Sequence, residues 1–240
     1  MKKMTLDKIL QKQGFGSRKE CQALIVGGSV RLNDQVIESY DDYLEPESLG
    51  VLVNDEHWVC REQVYVALNK PTEFECSRKP THHPSVLNLL PPLFSRRNTQ
   101  PVGRLDQDTT GLLLFSDDGI FIHQQSSPKY RQPKTYEATT DERITPELVS
   151  HFLTGIQLKE EPSPIAALSC NQLDSHRIEI ILGEGKYHQI KRMLAAEGFH
   201  CKSLIRTKIG RLRLEDLHLS QGQWCFLSEA QLLLLAPPQH

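Results

Sequence analysis

The sequence predicts an α+β protein with two domains: a small αα-β domain over residues 1–60, and a larger domain over residues 61–240 whose mainly antiparallel sheet is flanked by helices. Hydrophobic residues make up 38% of the 240 residues, which is enough for a packed core. The first 28 residues carry helical periodicity, whereas short strands dominate from residue 64 onward. Few of these strands alternate with helices in the β-α-β order of a parallel sheet, so antiparallel pairing is favoured.

The small domain is predicted from its capping and turn residues. Thr5 is expected to cap a first helix that ends near Gly14. Residues 17–20, Ser-Arg-Lys-Glu, match a capping box that opens a second helix. Residues 29–37 alternate as a pair of strands around an Asn-Asp turn, and a last strand is expected near residues 51–53.

In the larger domain, apolar runs bounded by turn residues predict strands, and capped periodic stretches predict helices. The last predicted helix has its apolar side chains on one side and Gly198 just past its end. The predicted strands are residues 64–68, 112–115, 136–139 and 177–182, and the predicted helices begin at Thr145 and span residues 186–197.

Charge is unevenly distributed along the chain. The formal net charge is only −2, which by itself argues against a nucleic-acid partner. Residues 1–33 nevertheless hold seven Lys or Arg against two acids, and residues 186–213 hold eight against one. Because salt screens each charge beyond about 8–10 Å, local basic blocks decide whether a phosphate binds. Two such blocks favour a nucleic-acid partner over the alternative of a solvated charged surface.

Cysteine usage and the N-terminus indicate where the protein works. The six cysteines are scattered without a Cys-x-x-Cys pair, which argues against a disulfide framework or a structural zinc site and fits a reducing compartment. The N-terminus leads into an amphipathic stretch rather than an apolar signal segment, and no apolar run is long enough to span a bilayer. We therefore expect a cytoplasmic protein without a membrane partner.

The segment that carries chemistry is residues 103–114, with the sequence GRLDQDTTGLLL. Glycines at its two ends permit a tight backbone path, so the loop can present Asp106 at the edge of the strand that follows. Taken alone, the Arg-Leu-Asp triplet is a weak signal, because an aspartate beside an arginine is more often a turn residue or an ion pair than a catalyst.

The whole segment closely resembles the catalytic motif of the pseudouridine synthases, specifically the RsuA-type branch that modifies ribosomal RNA. The N-terminal domain resembles an S4-type RNA-binding domain, with two short helices, the Ser-Arg-Lys-Glu entry and a β-turn after Val30. Together the resemblances span nearly the entire chain. Three further family motifs have counterparts in the same order: Leu68-Asn69-Lys70-Pro71, Lys134-Thr135-Tyr136, and residues 184–193, EGKYHQIKRM.

The resemblance implies isomerisation of uridine to pseudouridine: the glycosidic bond breaks, the base rotates, and the base rejoins the sugar through carbon. It assigns Asp106 as the essential carboxylate, which attacks the sugar, attacks the base or removes a sugar proton; the sequence does not decide among the three. In each case the carboxylate must be ionised, so it needs a nearby cation and shielding from water. The family uses no metal or cofactor, and none is expected here.

Three substrate-binding residues are implied by the same motifs. Lys191 occupies the position of the basic partner of the aspartate, as a point charge rather than a bidentate group. Tyr136 matches the family tyrosine that packs against the target base, since its ring can stack on a flipped uracil; a tyrosine that fills the sheet core is the alternative. Arg104 is expected to hold the distorted RNA or to fill the gap left by the flipped nucleotide.

Further basic and imidazole side chains are expected to contact RNA phosphate or sugar. Arg18 and Lys19 lie in the first turn of the second helix, where free backbone N–H groups and the positive helix end favour a phosphate. For His188, a hydrogen-bonded helix residue is an equal alternative. The expected RNA contacts are Lys8, Arg18, Lys19, Arg31, Lys134, Lys186, His188 and Arg192.

Ribosomal RNA is the partner that the resemblance implies, with 16S RNA or a small-subunit assembly intermediate as the leading substrate and a monomer as the enzyme. Enzymes that act on 23S RNA share these motifs, so that substrate remains an alternative. One position departs from the family pattern. Glu73 stands where a glycine is usual, two residues after Pro71, and is expected to change the local turn.

Three other functions compete with this interpretation. A nucleotide-binding protein would need Gly or Ala at position 188 to complete a dinucleotide fingerprint from residues 183–185. A non-catalytic RNA-binding protein is the more serious alternative, because the N-terminal domain alone would support it. A metal-dependent phosphoesterase has a spacing that matches no established motif. Its ligands would come from Asp106, Asp108, Asp117, Asp118, His82, His83 and His123.

Overall fold

The computed structural model describes residues 3–159 and 161–237, and it confirms the α+β class. Short 3-10 turns lie at Val86–Leu89, Pro128–Tyr130 and Glu215–Leu217. The α-helices are α1 (Leu6–Gln13), α2 (Arg18–Val26), α3 (Pro92–Arg96), α4 (Gly119–Ser126), α5 (Pro146–Thr154), α6 (Gln189–Ala196) and α7 (Glu229–Leu234). The strands are β1 (Met4–Thr5), β2 (Val30–Leu32), β3 (Gln35–Val36), β4 (Tyr43–Leu44), β5 (Gly50–Val53), β6 (Glu56–Val59), β7 (Tyr65–Lys70), β8 (Gln100–Val102), β9 (Thr109–Ser116), β10 (Lys134–Thr140), β11 (Ser169–Gln172), β12 (Arg177–Leu182), β13 (Cys201–Ile209), β14 (Leu212–Arg213) and β15 (Trp224–Phe226).

The chain divides into two compact units, and neither unit is continuous in sequence. The first unit runs to Val64 and also takes in residues 90–100 and 116–118, and the second contains the remainder. The boundary expected between residues 60 and 61 stays a prediction. Nothing in the sequence patterns indicates that two later segments pack with the N-terminal one.

Two short sheets and three helices form the first unit. The larger sheet has the strand order β3-β2-β5-β6, and β1 pairs with β4. The capping box at Ser17 is present, because its hydroxyl accepts from the Glu20 N–H while its own N–H donates to the Glu20 carboxylate at 2.6 Å. Thr5 precedes α1, but its hydroxyl donates to Asp7 instead of accepting from the helix, so the predicted cap is wrong in this detail.

A buried arginine ties the three segments of the first unit together. The Arg97 side chain is only 2% exposed and lies 2.9 Å from the Asp117 carboxylate. It also donates to the Gln13 side-chain oxygen at 2.6 Å and to the carbonyls of Arg61 and Glu62 at 3.0 Å. Removing one member of such a buried pair leaves an uncompensated charge. Asp117, whose side chain is 13% exposed, is therefore part of the interior of this unit.

Asp7 is a second buried charge of the first unit. Its carboxylate is fully buried and accepts from the Thr5 hydroxyl, from Arg18 Nε at 2.7 Å and from Gln22 Nε2 at 2.7 Å. Burial alone would raise the pKa of Asp7, but these hydrogen bonds lower the pKa from 3.8 to about 2. The ionised carboxylate therefore stabilises the folded unit and also fixes the direction of the Arg18 side chain.

Replacing Asp7 with asparagine is expected to remove about 2 kcal/mol of stability at pH 5 and almost none at pH 2. The folded pKa lies below the unfolded one, so the contribution is complete above pH 3.8 and is lost as the pH falls toward about 2. Urea unfolding, followed by the fluorescence of Trp58 in a Trp224→Phe background, measures the free energy of unfolding of each variant. Asp42→Asn, an exposed acid, is the control. An asparagine penalty that is equal at both pH values would contradict the prediction.

The second unit is built on a mixed sheet with the strand order β11-β12-β10-β13-β9-β7-β15, to which β14 adds beside β13 and β8 beside β9. Strand β10 pairs antiparallel with β12 and with β13, and β15 pairs antiparallel with β7. Strand β9 runs parallel to β13. Helix α5 contacts β11 and buries Leu148 and Phe152, whereas α6 contacts β13 and buries Ile190, Met193 and Leu194.

The predicted elements of the second unit are found with shifted ends. Strand β12 has the predicted bounds, and the Thr145 hydroxyl caps α5 by accepting from the Leu148 N–H. Helix α6 begins at Gln189 rather than at Lys186, because His188 has a left-handed φ of 45° that a helix cannot include. Within residues 3–159 and 161–237, no helix is both long and apolar enough to cross a bilayer.

Candidate active site

The loop between β8 and β9 carries Asp106 and is closed by two glycines in the left-handed region. Gly103 has φ 75° and Gly111 has φ 101°. A Cβ atom at Gly111 would lie 2.3 Å from the carbonyl oxygen of Arg206 on β13, so no other residue fits there. The predicted need for glycine at both ends is therefore confirmed. It has a second cause at Gly111, which is the close approach of the parallel neighbour strand.

A buried lysine holds the Asp106 loop in place through hydrogen bonds. Lys70, at the end of β7, is fully buried, and its ammonium donates to the carbonyls of Pro71, Gln107 and Thr109 at 2.9–3.0 Å. Glu73 also holds the loop, since its N–H donates to the Gln107 carbonyl at 2.9 Å. Glu73 has φ 66°, the left-handed conformation that glycine favours, so the glutamate accepts the backbone geometry of a glycine instead of changing the turn.

Two side chains lie beside the Asp106 carboxylate, and one of them also contacts Asp108. Lys191, from α6, lies 3.1 Å from one carboxylate oxygen, and His188 Nε2 lies 3.4 Å from the other. The same lysine ammonium lies 2.5 Å from Asp108, two residues further along the loop. The Asp106 side chain is 28% exposed and the Lys191 side chain 22% exposed, so the pair is partly shielded from water. The expected pairing of Asp106 with Lys191 is present in the structure.

The charges in this cluster stabilise one another. Burial alone would lower the pKa of Lys191, but its hydrogen bond to Asp108 and the charge of Asp106 raise that pKa above its ordinary value. Burial would raise the pKa of Asp108, but the hydrogen bond and charge of Lys191 hold it below its usual range. At neutral pH the ammonium is therefore charged and shared between two carboxylates.

Tyr136 lies on β10 directly opposite Arg206 of β13. Arg206 is 1% exposed, its Nη1 donates to the Tyr136 hydroxyl at 3.5 Å, and its Nε donates to the Leu112 carbonyl at 2.8 Å. Arg206 thus connects Tyr136 to the strand that follows the Asp106 loop. Its Nη2 is buried without a hydrogen-bond partner among the described residues, which is a costly state for a guanidinium.

Lys134 precedes Tyr136 by two residues, so the alternation of a strand puts both on one side of β10. Its ammonium donates to the Gln132 carbonyl at 3.0 Å. Burial and the nearby charge of Arg206 lower the pKa of Lys134 to about 8. Two poorly solvated cations therefore lie close to Tyr136, an electrostatic environment that favours an anion.

The remaining residues expected to contact RNA differ in whether they already pair with an acidic side chain of the protein. Arg104, Lys8 and Lys19 are exposed. Arg18 is held by Asp7 at 2.7 Å, and Arg31 lies 4.0 Å from the exposed Asp55. Lys186 lies 2.6 Å, and Arg192 3.3 Å, from the two carboxylate oxygens of Glu161.

A cavity of about 660 Å³ in the second unit lies on another surface of the sheet. Thr135 and Glu137 of β10 and Thr207 of β13 line it, whereas Tyr136 and Arg206 alternate with these residues and do not. None of the residues predicted from the sequence to act on the substrate lines this cavity. Geometry around Asp106, rather than cavity size, therefore identifies the candidate site.

The structure adds residues to the site that the sequence did not single out as site residues: Asp108, Arg206 and Glu161. Asp108 carried a signal, since it stands two positions after Asp106 in the same motif. Arg206 and Glu161 carried none, because their contacts are 70 and 25 residues away in the chain. Among residues 3–159 and 161–237, no three His, Cys, Asp or Glu side chains converge as metal ligands.

Comparison with known proteins shows the family to which the chain belongs. Residues 64–196 match the family described as RNA pseudouridylate synthase, and residues 4–48 match the S4 domain. The chain is 35% identical over 240 residues to the uncharacterized RNA pseudouridine synthase YtzG of Bacillus subtilis, covering 98% of this chain and 100% of that protein. It is 32% identical over 229 residues to ribosomal small subunit pseudouridine synthase A of Escherichia coli, covering 95% and 98% of the two chains.

A solved structure described as a pseudouridylate synthase superposes with a TM-score of 0.68 at 29% identity, covering 97% of this chain and 100% of the other. The family match and the relatives that span nearly the whole chain place it in the class of RNA-modifying isomerases. The chain belongs to the RNA pseudouridylate synthase family, with an N-terminal S4 domain, in its RsuA-type branch.

Proposed function

We propose that this protein converts a specific uridine of small-subunit 16S ribosomal RNA into pseudouridine, with Asp106 as the essential carboxylate. The contact between Asp106 and Lys191, at 3.1 Å, is the observation that carries the proposal. A carboxylate held beside a cation and partly shielded from water is placed to act as nucleophile or base. Relatives named for the small ribosomal subunit, which match nearly the whole chain, support 16S RNA as the substrate.

In this proposal the target uridine leaves its helix and enters the site beside Asp106. Tyr136 would pack against the base, with its hydroxyl held by Arg206. Only 8% of Tyr136 is exposed in the RNA-free protein, so the base would contact a limited part of the ring. Arg104, exposed and two residues before Asp106, would occupy the gap that the flipped nucleotide leaves in the RNA.

The S4 domain would supply affinity that depends little on RNA sequence. Lys8 and Lys19 are exposed, and Asp7 directs Arg18 beside them in the same unit. Lys134 would complete the phosphate contacts near the base, because its poorly solvated ammonium gains most from an anionic partner. We further propose a monomeric, cytoplasmic enzyme that needs no cofactor and acts on naked RNA or on an assembly intermediate.

Mapping pseudouridines in 16S and 23S RNA from cells with and without this protein tests the proposal. We expect one 16S position to lose its pseudouridine and to regain it with the wild-type protein but not with Asp106→Asn. A position lost only from 23S RNA would establish the alternative substrate. Unchanged maps of both RNAs would contradict the proposed function.

A further inference from the structure

Glu161 bridges two of the cations that were expected to contact RNA. One carboxylate oxygen lies 2.6 Å from the Lys186 ammonium and the other lies 3.3 Å from Arg192 Nη1. The Glu161 side chain is only 13% exposed, and the two cations are 33% and 24% exposed. A single anion therefore occupies the space on which both cations converge.

These two cations belong to the segment that also provides the partner of Asp106. Arg192 follows Lys191 in α6, and Lys186 precedes the helix by three residues, with its N–H bonded to the Gln189 side chain at 2.9 Å. Lys186, Lys191 and Arg192 each have a carboxylate partner in the RNA-free protein. Lys191 is paired with residues of the catalytic loop, whereas the other two are paired with a residue outside it.

Two hydrogen bonds hold the backbone of Glu161 in the RNA-free protein. The Glu161 N–H donates to the Leu158 carbonyl at 3.1 Å, and the Gln157 side chain donates to the Glu161 carbonyl at 2.8 Å. The hydrogen bond and charge of Lys186 hold the pKa of Glu161 below its usual range, so the carboxylate is ionised at neutral pH. Lys and Arg converging on two oxygens of one anion is also how proteins bind a phosphate group.

We propose that Lys186 and Arg192 form a binding site for one RNA backbone phosphate, that Glu161 occupies this site in the RNA-free protein, and that the bound RNA displaces it. This inference rests on the proposed function and adds to it a cost that limits RNA affinity. Displacing Glu161 costs binding energy for every RNA equally, so Glu161 lowers the affinity for any RNA backbone without changing the preference among sequences.

The test compares Glu161→Gln with wild type in binding to a labelled single-stranded 16S fragment and to a scrambled RNA of the same length. We expect Glu161→Gln to bind both RNAs roughly tenfold more tightly at low salt, with a slope of log K against log salt that is steeper by about one. The matched control is Glu197→Gln, which removes the same charge from the other end of α6, where Glu197 pairs with His151 at 2.6 Å. An equal gain in RNA affinity by Glu197→Gln would show that the effect comes from net charge alone, and it would overturn the inference.

A second substitution identifies the cations involved. Lys186→Met should weaken binding more strongly in the Glu161→Gln background than in the wild type, because only there is Lys186 already available to RNA. Equal effects in both backgrounds, or weaker RNA binding by a folded Glu161→Gln, would show that Glu161 only fixes the loop. If Glu161→Gln fails to fold, Glu161→Asp replaces it in the test, because the shorter side chain reaches the two cations less well and should also tighten RNA binding. Unchanged RNA affinity of Glu161→Asp would overturn the inference.

Pseudouridine formation by the wild-type protein is measured on the same 16S fragment and on total ribosomal RNA. Turnover by the wild type together with unchanged affinity of Glu161→Gln would overturn the phosphate site alone. Absence of turnover on every ribosomal RNA would overturn the proposed function, and the binding data would still decide the role of Glu161.

Discussion

Replacing Asp106 with asparagine is expected to reduce the rate of pseudouridine formation by about 1000-fold or more, while RNA affinity changes less than threefold. Asparagine keeps the size of the side chain and one acceptor oxygen but cannot attack as a nucleophile or accept a proton as a base. Its neighbour Lys191 retains Asp108 as a charged partner at 2.5 Å, so the loop and α6 should keep their positions. Single-turnover assays on a 16S fragment measure the rate, and filter binding measures the affinity.

Asp108→Asn is the matched control, because it makes the same chemical change two residues away on the same loop and beside the same lysine. We expect Asp108→Asn to keep more than about one tenth of the activity, since Lys191 would still neutralise Asp106. Comparable losses in the two variants would mean that charge balance around Lys191, and not the chemistry of Asp106, limits the reaction. Turnover by Asp106→Asn near the wild-type rate would refute the assignment.

Replacing Lys191 with methionine is expected to lower the rate of the chemical step by roughly 100-fold or more. The change removes the cation that lies 3.1 Å from Asp106 and 2.5 Å from Asp108. Without that cation the ionised form of Asp106, which is the form that acts as nucleophile or base, loses its main stabilising charge. Arginine keeps the charge but not the compact ammonium, so Lys191→Arg should recover part of the rate.

Lys202→Met on β13 is the control for the loss of a positive charge from the same basic block. Lys202 is 68% exposed and lies 3.8 Å from Asp141. We expect it to alter RNA affinity slightly and the single-turnover rate not at all. A Lys191→Met enzyme whose rate stays within threefold of the wild type would show that Asp106 does not depend on this cation.

Local sequence signals predicted several elements whose determinants are local. The capping box at Ser17 and Glu20 spans four residues, and β12 is a short, mostly apolar run, so each was found where predicted. Strand β6 was missed although the turn before it, Asn54-Asp55, has the same positive φ values as the predicted turn at Asn33-Asp34. The sequence did contain a signal for β6, because both turns use an Asn-Asp pair in the left-handed region.

The candidate site was predictable only in the part that a linear motif encodes. The pairing of Asp106 with Lys191 was predicted although 85 positions separate the two residues, because each lies in a motif of the family that the sequence resembles. The contacts of Arg206 with Tyr136 and of Glu161 with Lys186 depend on strand pairing and on the path of a loop. Neither the periodicity of hydrophobic residues nor the spacing of charges specifies which acid will lie beside which base, so these contacts required the structure.

The position of Arg97 in the N-terminal unit has a consequence for biosynthesis. While the ribosome has made only the first 64 residues, Gln13 has no guanidinium to bind and Trp58 has no Phe94 against its ring. Both partners, and the Asp117 counter-ion, are translated later. The nascent S4 unit must therefore stay incomplete until more than 50 further residues have left the ribosome, and a fragment cut at residue 64 would lack part of its own interior.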